Sequence, residues 1–183
     1  MAIESRYLRQ KIKYHAAALR KYMVLTDFPD EKADQYFSAV EIHVIEIAAL
    51  TRKLRDLGTK LPDNTLESKI INLVRYKSHG PDSQRAYVNI EKEYDLDDPL
   101  PDSLPLSRIV DLIIHSYVLQ AIGENELVFT HVWVTSDYSR FSGLYQIRLK
   151  DFLDACVDVS NTWPTSLHSE YDQKAQKWIH VVK

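Results

Sequence analysis

The chain has 183 residues, 45% of them hydrophobic and 27% charged, with a formal net charge of −3. That composition suits one ordinary globular domain with a core large enough to need no disulfide or metal staple. Four glycines, one cysteine and no global basic field argue against a phosphate-cradling loop, an internal disulfide framework and an overall nucleic-acid-binding charge.

The lone Cys156 fits a reducing compartment. The N-terminal MAIESRYLRQKIKYH lacks an apolar signal-peptide core, and no run approaches the roughly 20 apolar residues that span a bilayer. The expectation is a cytoplasmic protein with no membrane partner.

Residues 3–25 read as a helix, with Leu8, Ile12, His15, Leu19 and Tyr22 recurring at spacings of four and three. Its basic residues, among them Arg6, Arg9 and Lys13, are candidates for RNA contact. The alternative is a solvated helix face with Tyr7, Tyr14 and Tyr22 turned inward, which is the commoner use of such a stripe. TDFPD breaks this helix, and Pro29 suits the first turn of a second one over about 30–57, closed by Gly58. Ile42, Ile45 and Ala49 give that helix a second apolar face, which predicts a central, buried position. The two should pair as an antiparallel hairpin.

Asn64 and Glu67 resemble a capping box opening a third helix near 65–77. AYVNI reads as a short strand. DLDDPLPDSLP reads as a rigid acidic loop in which three prolines block regular structure. Its aspartates lack calcium-loop spacing. A fourth helix is predicted over about 104–121, then a β-hairpin over about 126–149 built from ELVFTHVWVT and LYQIRL. On its first strand His131 should alternate with Phe129 and Trp133 on one face. Asp151 should cap a helix through DFLDACVDV, with Cys156 packed in its apolar face. The tail SEYDQKAQKWIHVV reads as a last amphipathic helix anchored by Trp178 and Ile179. The predicted fold is mainly α within an α+β frame: one domain over 1–183, with a helical bundle at about 1–121 and the β-hairpin and C-terminal helices at about 124–183.

The fourth helix carries the chemistry. In SRIVDLIIHSY the residues Arg108, Asp111 and His115 fall within one wedge of about 60° at 100° per residue, while apolar side chains fill the remaining circumference. Asp111 can pair with Arg108 and orient His115. A plain reading makes the three a satisfied polar cluster, with an i,i+3 salt bridge at the helix start. A catalytic reading gives His115 the proton transfers at a ribose 2′-hydroxyl and Arg108 the scissile phosphate. That chemistry needs no metal or cofactor, and none is expected. His43 and Glu46, one turn apart on the second helix, lack a metal-binding spacing; Glu46 could approach the His115 face if the two helices pack.

The spacing of Arg108 and His115 resembles the motif of HEPN domains, an arginine followed after four to six residues by a histidine. The long helical hairpin ahead of the motif-bearing helix is similar too. The resemblance implies a helical bundle, metal-independent RNase activity in a toxin or defence setting, and two copies paired so that their motifs meet. Arg9 and His15 have a similar spacing but fall about 120° apart on a straight helix. IIHSY also resembles a segment of uncharacterised bacterial proteins, which implies no activity. The competing expectation is a non-enzymatic protein-binding module, antitoxin-like or a scaffold, acting as a dimer.

Overall fold

The computed structural model describes residues 2–25, 30–80, 89–124, 128–172 and 176–182. Two long helices open the chain: α1 (Ala2–Tyr22), then a 3-10 turn at Asp30–Lys32 and α2 (Ala33–Asp56). They pack on each other, with Leu8, Ile12, Ala16 and Leu19 facing Val40, Val44, Ile47 and Leu54 in the buried core. Gly58 follows α2 with φ +66, and its amide donates to the Arg55 carbonyl, so the left-handed residue closes the helix as the sequence predicts. Pro29 lies outside the described residues.

The remainder departs from a helical bundle. Five strands form one antiparallel sheet in the order β2-β1-β5-β4-β3: β1 (Ile70–Tyr76), β2 (Leu100–Pro105), β3 (Ser116–Glu124), β4 (Val128–Ser136) and β5 (Leu144–Arg148). A short helix α3 (Ile90–Glu93) precedes β2, α4 (Leu106–Ile114) sits between β2 and β3, and α5 (Leu149–Asn161) follows β5. A two-stranded sheet of β6 (Leu167–Asp172) and β7 (Lys177–Val182) ends the chain. The mainly helical prediction is therefore corrected to α+β, with α1, α2, α4 and α5 sharing one hydrophobic core with one face of the sheet. Val74, Tyr76, Trp133 and Leu144 on the other face cluster with Tyr94.

Each corrected element has a local cause. The predicted third helix is β1. Asn64 adopts φ +59, and a turn that closes Ser68 N–H onto the Asn64 carbonyl replaces the capping box. IINLVRY then runs as a strand with Ile71, Leu73 and Tyr76 buried. The predicted acidic loop contains β2. Here the prolines are compatible with a strand because β2 is an edge. Pro101 and Pro105 share parity, and Leu106 N–H, of the opposite parity, donates to the Lys69 carbonyl. The missing donors therefore point away from β1. At the other edge, the Ala121 N–H of β3 donates to the Glu41 carboxylate of α2. Asn89 and Ile90, predicted as strand, instead cap and begin α3, and residues 86–88 lie outside the described residues.

The predicted helix over 104–121 spans three elements, the end of β2, α4 and the start of β3. The helix stops at Ile114, His115 takes φ −102 and ψ 26, and the chain leaves as β3. Tyr117 and Thr130 are extra residues in the β3–β4 register. The bulge at Thr130 turns Phe129 into the helical core, edge-on to Phe37, so it does not share a face with His131 and Trp133. The hairpin of β4 and β5 is present as predicted. The predicted C-terminal helix is the β6–β7 hairpin, with Trp178 opposite Tyr171 and Ile179 opposite Glu170.

Candidate functional site

The site is built on α4. Leu106, Ile109, Val110, Leu112 and Ile113 are buried, and at roughly 2 kcal/mol for each large side chain they fix the rotation of this short helix. The polar wedge is thereby turned outward. Arg108, Asp111 and His115 line one open cavity of about 220 Å³, together with Ser136, Tyr138, Ser139, Ser142 and Tyr145 from the β4–β5 segment. Arg108 and His115 are exposed and Asp111 is half-buried.

The pairing within this cleft differs from the expected one. The Nη1 of Arg52, on α2, lies 2.9 Å from the Nε2 of His115. A guanidinium only donates, so Nε2 accepts and the neutral ring carries its proton on Nδ1. Asp111 Oδ1 is 3.4 Å from Arg55 Nη2 and 3.8 Å from Arg52 Nη1. The carboxylate thus positions the arginine that holds His115. Arg108 makes no ion pair with Asp111, or with any other described residue, and its head group is left facing the cleft. Burial pulls the Arg55 guanidinium down, but hydrogen bonds and charge from Asp56 and Asp111 outweigh it and hold Arg55 above its ordinary value. Of the charged side chains, Arg108 and Asp111 line the cavity itself, while Arg52 and Arg55 stand behind it on α2, held to His115 and Asp111. A phosphate in this cavity would meet the unpaired Arg108 guanidinium beside the His115 imidazole.

The expected RNA contacts on α1 separate from one another. Arg6 and Lys13 are exposed. Arg9 is 2% exposed, and its guanidinium donates to the carbonyls of Val159, Ser160, Thr162 and Lys60 under the ring of Trp163. It ties α1 to the end of α5, and burial lowers its pKa. Tyr7 and Tyr14 do not turn inward; both are exposed, with the Lys11 ammonium about 5.6 and 5.5 Å from their ring centres. His15 meets His43 at the α1–α2 contact, their Nδ1 atoms 3.0 Å apart. Among the described residues no three His, Cys, Asp or Glu side chains are placed to share a metal ion, and no helix is long and apolar enough to cross a membrane.

The residues that sequence reasoning missed are Arg52 and Arg55. Their only signal is the packing of α2 against α4, which brings Arg52 rather than Glu46 to the His115 face. No protein-family model matches the chain, and comparison with curated proteins and with solved structures finds no match.

Proposed function

We propose that the chain is a metal-independent RNA endonuclease with a toxin or defence role, acting at the α4 cleft. The observation that supports this most is an accessible His115 imidazole, its nitrogen 2.9 Å from Arg52, in a cavity also lined by Arg108. A scissile phosphate entering the cleft draws Arg52 and Arg108 onto its oxygens and frees the Nε2 lone pair. His115 then removes the 2′-hydroxyl proton, the 2′-oxygen attacks phosphorus, and the P–O5′ bond breaks. The leaving 5′-oxygen takes a proton from water at the open mouth, and the hydroxide so formed takes the proton held by His115. The products are a 2′,3′-cyclic phosphate and a 5′-hydroxyl. The arginine–histidine spacing shared with HEPN domains supports the same chemistry, without the helical bundle that the likeness implies.

A second copy of the chain is the partner this reading favours. Ile42 and Ile45 are 57% and 41% exposed, and with Ala49 they form a stripe on α2 that runs into Arg52. Pairing along that stripe draws two clefts together.

The test is cleavage of RNA in EDTA by wild type and by His115→Ala, with the end groups identified. Wild-type cleavage to cyclic phosphate, reduced about 10²-fold or more in a well-folded variant, is the expected result. Equal activity in both, or none in wild type, removes the enzyme and leaves a protein-binding module.

A further inference from the structure

The segment between β4 and β5 is unusually well fixed for an exposed loop. The Ser136 carbonyl accepts from the amides of Ser139 at 3.0 Å and Arg140 at 2.9 Å, and the Ser139 carbonyl accepts from Gly143 N–H at 3.0 Å. The Ser139 hydroxyl accepts from Ser136 N–H at 2.9 Å, and the Thr135 hydroxyl donates to the Gly143 carbonyl at 3.0 Å. Thr135, Ser136 and Ser139 are all buried, so the network is sheltered from water.

What this loop holds outward is aromatic. Tyr138 is 93% exposed and Phe141 is 59% exposed. The Arg140 guanidinium lies 5.0 Å from the ring centres of both Phe141 and Tyr117, the latter from β3. Large rings left in water on an ordered loop contribute nothing to the core, and a guanidinium interleaved with them matches the stacking surfaces that take nucleobases. Tyr138 lines the same cavity as Arg108 and His115, so bases held here would flank a phosphate in the cleft.

We infer that Tyr138 and Phe141, with Arg140 held between Phe141 and Tyr117, form a stacking platform that makes the cleft a binding site for single-stranded RNA. Bases of a duplex are stacked on each other and cannot reach these rings. The inference rests on the reading of the cleft as an RNA site, and extends it to the form of RNA and the residues that select it. The guanidinium groups of Arg140, against Phe141, and of Arg108, in the same cavity as Tyr138, favour an anionic RNA strand over an apolar peptide.

The test is fluorescence anisotropy at fixed salt with a labelled single-stranded RNA 12-mer and its matched duplex. It uses His115→Ala so that binding is not obscured by cleavage, and adds Tyr138→Ala and Phe141→Ala singly and together. The expected result is a preference for the single strand and a ten- to hundredfold loss in the double variant, with Tyr138→Phe retaining affinity. Both rings are exposed, and unchanged melting confirms that the variants fold. Equal affinity for duplex and single strand, undiminished binding by the double variant, or no RNA binding at all overturns the platform. A dinucleotide cleavage assay on the wild type separates the two readings. Cleavage with an indifferent double variant defeats the platform alone. Aromatic-dependent binding without cleavage defeats the enzyme alone.

Discussion

At the scale of single residues, charge and burial decide what each group can do. Arg9 belongs to a basic stripe, yet its guanidinium donates to four carbonyls from two parts of the chain, Lys60 and the end of α5. Arg9→Ala leaves those buried acceptors unpaired and is expected to cost about 3 kcal/mol. In a chain of this length that lowers Tm by roughly 10 °C, measurable in a thermal melt. Arg9→Lys should recover part of the loss, since an ammonium lacks the planar fork. Cys156 is fully buried; burial pushes its thiol up to about 12, against a smaller opposite pull from the Thr51 hydroxyl. Its reaction with a thiol reagent at neutral pH is therefore expected to follow global unfolding, and a fast native-state reaction would contradict this placement. The wedge of Arg108, Asp111 and His115 was legible in the sequence because the first two ride on α4 and His115 is its C-cap, so the helical pitch brings all three to one side. Arg52 and Arg55 were not legible, because they reach His115 and Asp111 only through the contact of α2 with α4, and no local pattern encodes that contact.

At the scale of elements, the long helices were legible and the strands between residues 70 and 124 were not. SYVLQAIGE continues the apolar density of α4, so periodicity offers no break at Ile114. The break comes from β4, which offers β3 a partner through nearly its whole length. β2 was obscured by prolines that only an edge strand tolerates. Gly143 shows how tightly β5 enters the sheet. A Cβ there would lie 2.5 Å from the Tyr76 carbonyl of β1. Gly143→Ala should cost about 2–3 kcal/mol, seen as a lower denaturant midpoint. In the α1–α2 pair, burial lowers the His43 pKa, the nearby His15 lowers it further, and Glu46 opposes both. The folded chain therefore resists a proton that the unfolded chain accepts, and this contribution to stability is present above the unfolded value of about 6.5 and lost as pH falls below it. Tm should decline from about pH 6.5 downward, with a shallower decline in His43→Gln. Parallel profiles would contradict the assignment.

At the scale of the whole molecule, the exposed stripe of Ile42, Ile45 and Ala49 separates a pair of chains from a single one. Sedimentation of the wild type is expected to give twice the 21.3 kDa chain mass, and Ile45→Glu should return it to one chain without unfolding it. A wild type that sediments as one chain at all concentrations would leave the stripe without a partner. The five-stranded sheet has two edges, β2 and β3, and they are protected unequally. The prolines of β2 are fixed in the backbone, whereas β3 is covered at Ala121 by the side chain of Glu41, which can swing away. Were β3 to open, it could recruit only the β3 of another copy, across a two-fold axis. The doubled sheet would then end in β2 on both sides. Strand addition to the five-stranded sheet is a self-terminating reaction: along that sheet it stops at two copies.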